Sequence, residues 1–168
     1  MNSIDEMVSN ITGYLRPNLF TIDIVPPTAI SGLYNRKISL NGNATTFPFA
    51  TFSEGKFYYN NLDHKFATEK DYDPVSMTFY VDNDSDVLDF FIAWQSLIIG
   101  NHHLVSYKRN YVGTGIITLV DESKRFKKSA KLINMYPTNI NGLDLAYSSN
   151  NSILELSMSM NFDDVEYV

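Results

Sequence analysis

Ile153-Leu154-Glu155-Leu156-Ser157-Met158-Ser159-Met160-Asn161-Phe162 alternates without a break. Leu154, Leu156, Met158, Met160 and Phe162 fall on one face, and Glu155, Ser157, Ser159 and Asn161 on the other. A period of two marks a strand with one face in a core and the other in water. Working backwards, Ser148-Ser149-Asn150-Asn151 and Tyr136-Pro137-Thr138-Asn139 carry turn chemistry, because proline fixes φ and Asn and Ser satisfy their own backbone. Strands are therefore expected over Ala130–Met135 and Leu143–Tyr147, then the long last strand.

Further upstream, Asp84 or Ser85 is placed to cap a helix, with Asp86 and Asp89 complementing the positive dipole end of its first turn. Val87, Phe91, Trp94 and Ile98 form a core stripe, Phe90, Ala93 and Leu97 a second apolar face, and Gly100 ends the run. Ahead of this main helix Val75, Met77, Phe79 and Val81 alternate as a strand. Ser3 and Glu6 have capping-box spacing before Ile4, Met7, Val8 and Ile11, so a short helix opens the chain. Strands follow at Phe20–Ile24 and Tyr34–Leu40, and after the main helix near Leu104–Arg109 and Gly115–Val120. Between them, residues 44–73 crowd Phe47, Phe49, Phe52, Phe57, Tyr58, Tyr59, Phe66 and Tyr72 among polar residues with weak periodicity. An extended loop or hairpin is expected there, its aromatics either folded back as a satellite cluster or left for a partner surface.

The 168 residues suit one domain with one core, mainly β, and 44% hydrophobic with 14% aromatic content excludes disorder. With 13 basic and 19 acidic residues the net charge is −6, which disfavours condensation on nucleic acid. The absence of cysteine removes disulfides, thiolate metal sites and a cysteine nucleophile. No apolar run approaches the ~18 residues that span a bilayer and no export signal stands at the start, so a soluble, unexported protein without membrane insertion is expected.

Asp82-Asn83-Asp84-Ser85-Asp86 opens like a calcium loop, but Val87 stands where glycine is wanted and Ala93 where the bidentate glutamate is wanted. Helix capping is the better reading. His102-His103 and His64 lack metal-ligand spacing, and neither a phosphate loop nor a nucleophile elbow is present, so no metal, cofactor or catalytic residue is assigned. Lys124, Arg125, Lys127 and Lys128 gather positive charge, while Asp82, Asp84, Asp163 and Asp164 gather negative charge. The two are either solvated faces or head-to-tail contacts between copies of the chain.

Arg16-Pro17-Asn18-Leu19-Phe20, Asn35-Arg36-Lys37-Ile38, the helical Asp89-Phe90-Phe91-Ile92-Ala93-Trp94-Gln95-Ser96-Leu97, Tyr136-Pro137-Thr138-Asn139 and the closing strand with its acidic tail together resemble the tail tube proteins of large contractile-tailed bacteriophages. The resemblance covers residues 14–42 and 75–166. It implies an antiparallel β-sandwich or half-barrel flanked by one main helix, copies of which close into a hexameric ring. Rings would stack into a hollow tube inside a contractile sheath, grown from a baseplate, stopped by a terminator and conducting DNA in transit without specific binding. It implies a structural virion protein assembled in the host cytoplasm, not an enzyme. Glu155, Ser157, Ser159 and Asn161 are then candidates to face the lumen.

Two features depart from the family: residues 44–73 are longer than the corresponding stretch, and the connection at residues 25–33 is shorter. They leave open a baseplate relative that caps or initiates the tube, the tube of a bacterial injection or secretion machine, and a monomeric aromatic-rich β-sandwich binding module.

Overall fold

The computed structural model describes residues 15–31, 35–99, 104–143, 145–146 and 152–168. The expected opening helix, the turn at Ser148–Asn151 and His102-His103 lie outside them. The chain runs β1 (Phe20–Val25), a single 3-10 turn (Thr28–Ile30), α1 (Asn35–Asn41), β2 (Gly42–Thr45), β3 (Ala50–Tyr59), β4 (Leu62–Tyr72), β5 (Val75–Tyr80), α2 (Asp86–Ile98), a short helical turn α3 (Lys108–Tyr111), β6 (Gly113–Val120), β7 (Phe126–Ile140), β8 (Glu155–Asn161) and β9 (Asp164–Tyr167).

Seven strands form one antiparallel sheet in the order β1-β6-β7-β8-β5-β2, with β9 beside β7. β7 holds the sheet together. Its first part pairs with β6 and β9, its last part, Tyr136–Ile140, with β8. The inward side chains of the two halves, Ile22, Ile24, Ile117 and Leu132 from one and Met77, Phe79, Leu156, Met158 and Met160 from the other, share one core. Although β1 and β2 end opposite edges of the sheet, a side chain on Gly42 would lie 3.2 Å from Ile22 Cδ1. The sheet is therefore curled.

α2 closes this core with Val87, Phe90, Phe91 and Trp94, all buried. Phe90 meets Trp94 edge-on at 5.6 Å, and Phe91 meets Phe79 at 5.3 Å, arrangements favoured by the ring quadrupoles. The indole N–H of Trp94 donates to the Tyr111 carbonyl at 2.6 Å, so the buried polar atom is satisfied and α3 is pinned to α2. Ile98 and Leu154, expected in the core, are only half-buried and belong neither to the buried cluster nor to the side chains packed against it.

Four expectations are corrected. Residues from Asn35 to Asn41 are helix, not strand, because Ile38 packs wholly into the core while Leu40 faces solvent, a single anchor that does not need alternation. Tyr136–Asn139 is strand, not turn. Proline is tolerated there because the β7–β8 register shifts between Pro137 and Asn139, where a ladder donor is dispensable. Residues 104–111 hold one bridge, Val105 to Ile99, and then the turn α3, whose end is fixed by Trp94. Among the described residues Leu143, Leu145 and Ala146 belong to no strand. At the start of α2, Ser85 occupies the cap position at φ 60° without a side-chain bond, and the Asp82 carboxylate instead accepts the Val87 N–H at 3.3 Å.

Candidate assembly surfaces

The largest uncovered feature is the β3–β4 hairpin. Asn60 and Asn61, at φ 50° and 60°, form the two-residue connection that antiparallel strands favour. Pro48 and Pro74 bracket it, and among the described residues no other strand joins it by a backbone ladder. Opposed residues share a face. One face of the outer half therefore carries Phe57 with His64, Tyr59 with Leu62, and Gly55 with Phe66, while the other carries Glu54 with Ala67, Lys56 with Lys65, and Tyr58 with Asp63. Phe57 stacks on His64 at 5.1 Å and meets Phe66 at 6.1 Å. Phe66 lies directly over Gly55, where a Cβ would come within 2.5 Å of its ring. Phe57, Tyr59, Leu62 and Phe66 nevertheless remain 48–63% exposed. The hairpin is amphipathic, and among the described residues its aromatic side is left uncovered. Its periodicity was hidden in the sequence because Tyr58 interrupts the charged side and a bulge between Phe52 and Glu54 shifts the register.

The second surface is the outer face of β2-β5-β8 and the end of β7. Glu155 pairs with Tyr80, Ser157 with Thr78, and Ser159 with both Ser76 and Asn139, while Asn161 pairs with Tyr136. The Thr78 and Ser157 hydroxyls lie 3.1 Å apart, Thr138 donates to the Ser159 carbonyl at 3.0 Å, and Asn43 donates to the Glu155 carboxylate at 3.0 Å. This is a hydroxyl and amide surface on which Glu155 is the one charged residue of the paired strands. The third surface is the pair of sheet edges, since β1 and β2 each have one strand neighbour.

The charged candidates are largely engaged within the chain. Lys37 reaches into the Asp82-Asp84-Asp86 cluster, ion-paired with Asp86, with Asp84 at 3.5 Å and Asp82 at 3.9 Å; Asp86 first and then Asp84 raise its pKa. A lysine ammonium thus stands among the three carboxylates and neutralises part of their charge. Asp163 pairs with Lys108 and accepts from Asn134 at 2.8 Å, both of which hold its pKa below the usual range. Asp164 accepts from Tyr72 and Lys70 and is held at about 2. Arg125 and Lys127 both pair with Asp121, at 3.4 and 3.2 Å. Lys124, at φ 59° in the β6–β7 turn, and Lys128 form no ion pair among the described residues.

A curled antiparallel sheet with open edges, closed by one helix and carrying an uncovered amphipathic hairpin, defines a subunit built to be completed by other copies. The phage tail tube protein family matches residues 15–167, and the chain belongs to it. Its role is that of a structural tube subunit and not of an enzyme. Tail tube protein gp19 of Enterobacteria phage T4 is 22% identical over 156 residues, 89% of this chain and 90% of that one, and its counterpart in Enterobacteria phage T6 matches equally. In fold, the chain is similar to a chain of the sheath-tube complex of the extracellular contractile injection system PVC, with a TM-score of 0.67 at 11% identity, covering 100% of this chain and 99% of that one. It is similar also to a chain of the tube-terminating cap of the anti-feeding prophage, with a TM-score of 0.69 at 11% identity over 92% and 91%. Among the described residues no helix is long and apolar enough to cross a membrane.

Proposed function

We propose that copies of this chain join side by side into a hexameric ring and that rings stack into the tube of a contractile phage tail, through which DNA passes. The observation that carries this reading is the hairpin, whose aromatic side is left exposed among the described residues and which, as an isolated two-stranded unit, is marginally stable in water without a partner surface. Heterologous contact of that side with a different surface of the next copy generates rings and filaments. The edges of β1 and β2 are placed to continue the sheet from copy to copy. The outer face holding Glu155, Ser157, Ser159 and Asn161 then lines the lumen, since neutral hydroxyls and one carboxylate offer phosphate no counterion release. Lys124 and Lys128, which form no ion pair among the described residues, are offered for contacts between copies or with a surrounding sheath, and baseplate and terminator proteins would hold the two ends.

The test is sedimentation and negative-stain electron microscopy of the purified protein over a range of concentration and salt, with and without a baseplate seed. Hollow tubes are the expected result. Single rings that never propagate would point to a baseplate or terminator subunit, and monomers under every condition would support the binding-module reading. A tube that forms around protein cargo, not DNA, would mark an injection machine.

A further inference from the structure

The hairpin is attached to the body in an unusual way. No ladder joins it to the main sheet, and two peptide legs flanked by Pro48 and Pro74 would leave it free to swing. Yet both legs are gripped by the same short strand, β9. On the outgoing leg the Asp164 carboxylate accepts from the Tyr72 hydroxyl at 2.8 Å and from Lys70 at 3.1 Å, while the same oxygen takes the Val165 N–H at 2.9 Å. The Lys70 ammonium stands 4.7 Å over the Tyr72 ring, and that ring packs on Phe162 at 5.3 Å. On the incoming leg the Tyr167 hydroxyl donates to the Pro48 carbonyl at 3.0 Å, and its ring lies 6.2 Å from Phe47, which in turn meets Phe49. β9 is itself zipped to β7 from Ala130 to Ile133, with Val165 buried beneath it.

We propose that β9 is a clamp that fixes the angle of the β3–β4 arm against the body, with Asp164 and Tyr167 as the positioning residues for docking onto the next copy. The proposal rests on the assembly reading above, for it is the aromatic face of that arm that must meet its target. Preorganisation is the reason such a clamp would be built: ordering a swinging arm at the moment of contact costs affinity, and ordering it beforehand removes that cost. The two grips act on opposite legs, so losing one leaves a pivot and losing both leaves a tether.

Tyr72→Phe and Tyr167→Phe each delete one hydroxyl and leave the packing, and Asp164→Ala removes the shared acceptor. In Asp164→Ala/Tyr167→Phe, hydrogen exchange at residues 50–52 and 70–72 should quicken about tenfold, the loss of hydrogen bonds of ordinary strength, while β7 and β8 stay protected. The concentration at which tubes appear should rise by about tenfold or more, with Tyr167→Phe alone intermediate, and Asp164→Glu should restore part of both effects. Unchanged exchange at the hairpin base would overturn the clamp. So would tubes forming at the wild-type concentration from an arm shown to be loose, or loss of protection throughout β7 and β8. If the wild-type chain forms no tubes at all, the assembly reading fails while the exchange measurement still decides whether β9 holds the arm.

Discussion

Trp94 is the residue on which the helical cap depends, because it fills the core between Phe90 and Phe91 and also closes a polar bond to Tyr111. Trp94→Ala should cost about 3–5 kcal/mol in urea unfolding through lost burial and a cavity. Trp94→Phe should cost less, the loss of a buried bond plus a smaller void, and should free α3 first, visible as faster exchange at Val112. Full stability of the alanine variant would mean that the indole is not where the core lies. A pH experiment isolates another residue. The Tyr72 hydroxyl, the Val165 N–H and Lys70 lower the Asp164 pKa from 3.8 to about 2. Because the folded value is the depressed one, the carboxylate's contribution is complete above about 4 and is lost as pH falls through about 2. Between those limits the hairpin base should loosen in the wild type, and Asp164→Asn should show no such step. Trp94 was legible in the sequence, since it sits at helical spacing from Val87 and Phe91. In the sequence Asp164 reads as part of an acidic group that is either solvated or in contact with another copy, because its partners Lys70 and Tyr72 are more than ninety residues away and no local pattern reports them.

Elements that form by their own periodicity were readable, and those set by tertiary context were not. β1, β5 and β8 announce themselves through alternation that matches their burial. α1 does not: its seven residues bury Ile38 alone among the side chains described, with no acidic residue in its first turn to mark a start. A helix this short owes its existence to the packing of that one residue. Likewise Pro137 signals a turn locally and becomes strand only because β7 changes partners beside it. The hairpin lies between these cases, with its extent visible and its two-sidedness hidden. That two-sidedness is testable through Gly55. Gly55→Ala would put a methyl within 2.5 Å of the Phe66 ring, which can swing aside at the cost of the aromatic face it completes. Gly55 is half-buried under a Phe66 ring that is itself exposed and free to rotate away, so unfolding stability should fall by no more than about 1 kcal/mol. Assembly, measured by light scattering against concentration, should nevertheless weaken. Unimpaired assembly would show that the ring of Phe66 is not part of the contact.

At the scale of the whole molecule, the proposed passage of DNA raises the question of which surface would meet it. The chain is acidic overall, yet the outer face of β2-β5-β8 is nearly neutral, carrying Ser76, Thr78, Ser157 and Ser159 around the single carboxylate of Glu155. If that face lines the channel, a lysine at 155 repeats around every ring and along every stack, replacing a ring of anions by a ring of cations. Each phosphate neutralised releases counterions and favours retention, with an affinity that falls steeply as salt rises. Virions carrying Glu155→Lys should therefore assemble tails in normal number but eject DNA slowly at low salt, recovering toward the wild-type rate at higher salt. Glu155→Gln is the matched control, since it keeps an acceptor for Asn43 and adds no positive charge. It should eject normally at both salts. Slow ejection of the glutamine variant would trace the effect to loss of the carboxylate and not to the added positive charge. Wild-type ejection of the lysine variant at low salt would place this face away from the channel. Loss of tails altogether would place Glu155 in a contact between copies.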